Sequence, residues 1–161
     1  MPKTRPPQLD SDWVRNLIRL GSRLNTWAYR RTGGRFGGNW RVMAGFKKPV
    51  PVLLLTTTGR RTGQERTVPL LYLRDGLDVV VVASTGGLPK HPAWYGNLQA
   101  DPGVTVQVGT DVSKRRGRTA TADERERLWP RLVELYADFE TYQQWTQHTR
   151  EIPVVVLEPI T

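Results

Sequence analysis

Short apolar runs, each closed by a turn signal, recur from residue 51 to the end of this chain, and they restrict its fold more than any other feature. Runs at 51–58 and 66–73 flank the turn-rich stretch 59–63. A run at 77–83 follows Arg74-Asp75-Gly76, and runs at 104–108 and 112–119 face each other across Gly109-Thr110-Asp111. The last run occupies 152–157. Links this short cannot join parallel strands, which need a crossover of about a dozen residues or more. The strands must therefore be mainly antiparallel, and a late return strand lets the sheet close and lose its edges. The spacing predicts an α+β, mainly β chain whose six antiparallel strands form a small barrel. Pro69 has no backbone donor, so the second strand must be an edge or bulged there.

Helical spacing appears between and around these runs. Trp13, Leu17, Leu20, Leu24 and Trp27 recur every three or four residues over 12–31, with Ser11 as candidate N-cap. A glycine-rich, basic connector follows over 33–45. A short helix is expected over 91–100, with Pro92 early enough to be tolerated. Thr121-Ala122-Asp123-Glu124 has capping-box spacing and opens a helical region bearing Leu128, Leu132, Leu135 and Tyr136. Pro130 is expected to kink or divide that region.

Composition narrows the chemistry. At 161 residues the chain fits one domain, so any cofactor and substrate must share it. It has no cysteine, which excludes disulfides, thiolate catalysis, Cys-ligated zinc and iron–sulfur clusters. Two histidines, His91 and His148, are too few for an ordinary transition-metal site, so no metal is expected. Redox chemistry would need an organic cofactor. The P-loop, G-x-G-x-x-G, H-E-x-x-H and G-x-S-x-G patterns are absent. Residues 1–12 lack the apolar stretch of a signal peptide, and no run could span a bilayer, so a cytoplasmic protein is expected. Charge is uneven: residues 1–66 hold 14 Lys and Arg against 3 acids, while 67–161 hold 10 against 12. A basic first half implies an anionic partner, whether phosphate-bearing ligand, acidic lipid or nucleic acid.

Two segments carry chemistry. In Thr56-Thr57-Thr58-Gly59-Arg60-Arg61-Thr62-Gly63-Gln64-Glu65-Arg66, glycines admit close backbone approach, and hydroxyls and arginines can grip phosphate oxygens. An ordinary hairpin with solvated arginines fits the same residues. In Ser84-Thr85-Gly86-Gly87-Leu88-Pro89-Lys90-His91-Pro92-Ala93-Trp94-Tyr95-Gly96-Asn97-Leu98, a strand exits through small residues and leads into a helix start, exposing backbone donors to an anion or flat ring. Trp94 suits either a ligand ring or the core.

Together, LLLTTTGRRTGQERTVPLLYLRDG, ASTGGLPKHPAWYGNLQADP, LWPRLVELY and YQQWTQHTREIPVVVLEP resemble the deazaflavin-dependent nitroreductase family of actinobacteria over residues 51–159. The run Asn25 to Arg35 resembles that family's leader. The resemblance implies a split β-barrel oxidoreductase that binds coenzyme F-420 and reduces a quinone-like, nitroaromatic or other activated small-molecule acceptor. It implies a division into 1–45, an amphipathic helix and Gly/Arg-rich connector, and 46–161, the cofactor-binding barrel. By that likeness Arg60, Arg61, Thr62 and Arg66 hold the phosphate and the start of the polyglutamate tail. Pro69, Ser84, Thr85, Gly86, Gly87, Trp94 and Asn97 surround the deazaflavin, with Lys90 nearby. Tyr136 and Tyr142 stand where relatives present tyrosines to the acceptor, but Phe139 lies between them and cannot donate a proton. Thr85 replaces a lysine of some relatives. The rival readings are a flavin mononucleotide- or haem-binding split barrel, a non-catalytic cofactor carrier, and a peripheral protein attached to the inner face of an anionic membrane through Trp13, Trp27 and their arginines. Nucleic acid is not expected as a partner, and both monomer and homodimer stay open.

Overall fold

A computed structural model describes Leu20 and residues 23–24, 26–35, 39–40 (backbone only) and 50–161. The proposed helix start at Ser11, with Trp13 and Leu17, and most of the 33–45 connector lie outside the described residues.

The barrel strands are β2 (Val50–Thr58), β3 (Glu65–Asp75), β4 (Asp78–Val82), β5 (Gly103–Val108), β6 (Asp111–Thr119) and β7 (Val154–Pro159), preceded by a two-residue β1 (Asn39–Trp40) on the start of β2. Their order is β2-β3-β4-β7-β6-β5, every pairing is antiparallel, and β2 also pairs with β5 from Leu54↔Gln107 to Thr56↔Thr105. The ring is thus closed, as the spacing of the runs requires. The helices are α1 (residues 26–32), α2 (Ala93–Ala100), α3 (Ala122–Leu135) and α4 (Asp138–Thr146).

Alternate residues define two apolar layers. Leu53, Leu55, Val79, Val81, Val104, Val106, Val155 and Leu157 fill the barrel, together with Trp94, Tyr95 and Leu98 of α2. Gly117 on β6 leaves the space that Leu98 occupies. On the outside, Val80, Val82, Val154 and Val156 pack beneath Leu128, Leu132 and Phe139 of α3 and α4. β4 and β7 are therefore buried on both faces, which explains their unbroken valine runs. Tyr29 ties α1 to the barrel: its hydroxyl donates to Val52 O at 3.0 Å and accepts from Gly109 N at 2.7 Å.

Pro69 lies where β3 has a single neighbour, because β3 pairs with β2 through Leu71 and with β4 only from Tyr72. It is an edge position, with the β2 register unbroken at Leu54↔Pro69. Pro130 departs from expectation. α3 runs through it, and the helical region divides at Tyr136 instead. An interior proline costs about 3 kcal/mol. Here its ring faces solvent between buried Leu128 and Leu132, and the Thr121/Glu124 capping box secures the helix start. β7 begins at Val154 because Ile152 N is bound to Gln143 Oε1 of α4 at 2.8 Å. α2 begins at Ala93, with Pro92 as its N-cap.

Candidate functional site

The β2–β3 bend is held by Gly59 N donating to Gln64 O (2.7 Å) and Gly63 N donating to Gly59 O (2.7 Å). A Cβ on Gly59 would stand 2.9 Å from Thr62 Oγ1 and 3.0 Å from Gln64 O, so this bend closes only around glycine. Arg60 then reaches across to α2. Its Nη1 donates to Ala93 O at 3.2 Å and to Asn97 Oδ1 at 3.4 Å, and its backbone N donates to Asn97 Oδ1 at 3.2 Å. Asn97, 6% exposed, gives its amide hydrogen to Thr57 Oγ1 at 3.2 Å. Gly96 provides the slot, since a Cβ there would lie 2.5 Å from Arg60 Nη1.

These residues wall a cavity of about 580 Å3. Arg23, Arg60, Arg61 and Arg66 border it with Thr62, Trp94 and Asn97, and Glu65 is the acidic residue in its wall. Several arginines elsewhere are paired with carboxylates: Arg118 with Glu124 and Glu158, Arg125 with Glu151, and Arg127 and Arg131 with Asp75. Among the described residues no carboxylate forms an ion pair with the four groove arginines. A concave wall carrying four guanidinium groups attracts a polyanion.

A second structure follows β4. Thr85, Gly86 and Gly87 form a single 3-10 turn with φ of +49°, +61° and +76°. Left-handed backbone costs a threonine about 1–2 kcal/mol. Arg150 offsets that cost by donating to Ala83 O (3.0 Å), Ser84 O (2.8 Å) and Leu88 O (3.0 Å). Burial lowers the pKa of this arginine. Its Nη1 also meets His91 Nδ1 at 3.1 Å, a contact that needs the neutral ring nitrogen as acceptor. Burial and the charge on Arg150 hold the His91 pKa down. Gly87 packs so closely on α4 that a Cβ would lie 2.9 Å from Trp145 Cε3. Thr85 Oγ1 is buried with no partner within the described chain. A donor left unmade costs about 1–3 kcal/mol, so this hydroxyl points to a partner from outside the chain.

Tyr136 and Tyr142 stand behind the turn, their hydroxyls 2.9 Å apart. Tyr136 donates to Asp138 Oδ2 at 3.0 Å. Burial pushes both phenols up, so both are neutral at ordinary pH. Phe139 between them is 4% exposed and packs edge-on against Tyr136 at 4.9 Å, which makes it a core residue.

The structure thus gathers Arg60, Arg61, Thr62, Arg66, Trp94 and Asn97 around one cavity. Pro69 is buried on β3, one residue past Val68 of the cavity wall. Ser84, Thr85, Gly86, Gly87 and the exposed Lys90 lie on the β4–α2 link and do not line that cavity, nor do Tyr136 and Tyr142. Arg23, Gly96 and Arg150 escaped sequence reasoning. No motif marks an arginine whose partners lie 62–67 residues away.

Comparison with known proteins agrees with this geometry. Residues 21–159 match the family model described as F420H(2)-dependent quinone reductase. A Mycobacterium tuberculosis protein provisionally named an F420H(2)-dependent quinone reductase, Rv3178, is 48% identical over 119 residues, covering 74% of this chain and 98% of that one. A solved F420-H2 dependent reductase, FDR-A, superposes with a TM-score of 0.62 at 43% identity, covering 67% of this chain and 94% of its own. A structure described as a domain-swapped dimer reaches 0.64 at 36% identity over 91% of this chain and 98% of that one. A closed split barrel, an anion-seeking groove and a match over nearly the whole chain have one reading: the chain belongs to the F420H(2)-dependent quinone reductase family, oxidoreductases whose cofactor is coenzyme F-420.

Proposed function

We propose that this chain binds the phosphate and tail of coenzyme F-420 in the arginine groove and its ring beside the Ser84–Gly87 turn, to reduce a quinone-like or other activated organic acceptor. The four arginines gathered around one cavity, none of them paired with a carboxylate among the described residues, carry this reading. When bound, the reduced coenzyme supplies a hydride from C5 of its deazaflavin.

The protein's part is positioning and proton management. Asn97 and Ala93 O fix Arg60, so its guanidinium is oriented before a phosphate arrives; Arg61, Thr62 and Arg66 complete the grip. The Thr85 hydroxyl is a donor in want of an acceptor, and Ser84, Gly86 and Gly87 keep side-chain bulk away from a flat ring. Trp94 and Pro69 add apolar surface, and Lys90 adds a cation for an anionic ring edge. Tyr142, with Tyr136 behind it, holds a proton for the reduced product. Phe139 is committed to the core and leaves no donor at its position, so quinones should be reduced faster than nitroaromatics. Anaerobic oxidation of reduced coenzyme F-420 in the presence of menadione tests the reaction. Turnover well above the enzyme-free rate supports it, and none above background overturns it.

A membrane surface is the second reading that an observation favours. Leu20, Leu24 and Trp27 are 56%, 61% and 62% exposed at spacings of four and three, flanked by Arg23, Arg30 and Arg31. Such a face suits anionic headgroups, where quinones partition. Co-sedimentation with phosphatidylglycerol vesicles should fall with salt and with Leu24→Ser/Trp27→Ser. Equal binding by variant and wild type would remove the reading. Among the described residues no helix is long and apolar enough to cross a membrane.

A further inference from the structure

Arg150 does not line the arginine groove, and no carboxylate among the described residues forms an ion pair with it. Its guanidinium serves the backbone instead, each nitrogen taking a different carbonyl: Nε donates to Leu88 O, Nη1 to Ala83 O and Nη2 to Ser84 O. Ala83 and Ser84 precede the 85–87 turn and Leu88 follows it, so the three oxygens bracket the turn. A planar fork can span such a set, whereas the single nitrogen of a lysine cannot. The contact of Nη1 with His91 Nδ1 adds the approach to α2, the helix that carries Trp94 and Asn97. The arginine is itself held from α4. Its backbone N donates to Thr146 O at 2.8 Å, and its carbonyl accepts from Gln143 Nε2 at 3.4 Å. Gln143 follows Tyr142, whose Cα would stand 3.2 Å from a Cβ on Gly87. One side chain therefore joins the end of β4, the turn, the approach to α2 and the end of α4. What it holds is strained, because Thr85 is the one non-glycine residue at positive φ among the described residues, and threonine is β-branched. Local preference alone would take it out of the left-handed region.

We propose that Arg150 is a positioning residue for the coenzyme: through the carbonyls of Ala83, Ser84 and Leu88 it holds Thr85–Gly87 in the left-handed turn, so that the deazaflavin ring meets a surface already shaped for it. This rests on the reading that the ring lies beside the Ser84–Gly87 turn. A ligand binds more weakly in proportion to the fraction of molecules that are not in the competent conformation, so a preformed turn raises affinity without adding a contact. Arg150 thus acts on the ring end of the coenzyme through backbone geometry. The groove arginines act on its phosphate end through charge, and the two contributions separate by experiment.

The test is equilibrium binding of oxidised coenzyme F-420, at low and high salt, to wild type, Arg150→Lys, Thr85→Gly and Thr85→Gly/Arg150→Lys. Arg150→Lys keeps the charge and removes the fork. It should raise the dissociation constant about five- to thirtyfold, the population penalty of a left-handed threonine. In the Thr85→Gly background the same change should raise it by under about threefold, because glycine takes positive φ freely. Salt dependence should match wild type in every variant, since the groove arginines are untouched. With menadione as acceptor, Arg150→Lys should raise the KM for reduced coenzyme more than it lowers kcat. Equal dissociation constants for wild type and Arg150→Lys, or an equal penalty in both backgrounds, overturns the role of Arg150 and leaves the groove reading intact. Failure of wild type to bind the coenzyme overturns the reading on which the proposal rests. Should Arg150→Lys not fold, amide hydrogen exchange in coenzyme-free wild type decides the question. Gly87 N and Leu88 N, which donate to Ser84 O at 3.0 Å and Thr85 O at 3.2 Å, should be protected, and exchange at the unstructured rate would overturn a preformed turn.

Discussion

In the proposed reaction Tyr142 is the candidate proton donor. Asp138, as a carboxylate, can only accept, so Tyr136 gives its hydrogen to Asp138 and the oxygen of Tyr136 receives the hydrogen of Tyr142. In these bonds the hydrogens point toward Asp138, so Tyr142 protonates a product only once its hydroxyl turns away from Tyr136, and it recovers that proton from solvent; its backbone lies against Gly87. Tyr142→Phe should lower kcat with menadione on the order of 10²-fold, and Tyr136→Phe should lower it less. Steady-state kinetics of the two variants decide this, and equal rates in both and in wild type would remove the tyrosines from the chemistry. These tyrosines were legible only through family resemblance, because nothing local separates them from helix-face aromatics. Phe139 illustrates the limit: its position between them suggested an acceptor-facing role, whereas the break at Tyr136 turns its ring into the core. Asn97 was expected, by resemblance, beside the ring, and its bonds to Arg60 and Thr57 make it a brace for the arginine.

At the scale of elements, α3 is clamped from outside its own sequence. Arg127 and Arg131 both meet Asp75 in the β3–β4 turn at 2.7 Å, and Arg118 of β6 meets Glu124 in the first turn of α3 at 2.7 Å. Hydrogen bonds from Arg127 and Arg131 lower the Asp75 pKa from 3.8 to about 2, and the Arg118 hydrogen bond lowers that of Glu124 from 4.5 to about 2. Folded values below unfolded ones mean that this stabilisation is complete above pH 4.5 and is lost as pH falls towards 2. The melting temperature should decline across that window, and less steeply in Asp75→Asn. A melting temperature constant from pH 4.5 to 2 would show that the clamp adds nothing. These anchors also account for the mistaken expectation at Pro130. Chain-local rules place a break at the proline, but the partners that hold α3 straddle it from β6 and from a turn more than 50 residues upstream. Strands fared better, because turns such as Arg74-Asp75-Gly76 and Gly109-Thr110-Asp111 fix their limits within the segment itself.

For the molecule as a whole, barrel closure is what makes a site out of separate motifs. The β2–β5 pairing brings the hairpin of β2 and β3 alongside α2, and Arg60 bridges the two. The six-strand count, the antiparallel order and the basic character of the first 66 residues were all readable before the fold was known. The part played by Arg23 was not, since an arginine on an amphipathic helix reads as a solvated face until the barrel beneath it is in place. Binding of oxidised coenzyme F-420 to wild type and to Arg61→Glu/Arg66→Glu, followed by fluorescence quenching, tests the central claim most directly. The dissociation constant should rise by about 10²-fold or more in the variant, with its melting temperature unchanged. Equal dissociation constants in the two proteins would contradict the assignment of the groove to the coenzyme's anionic arm.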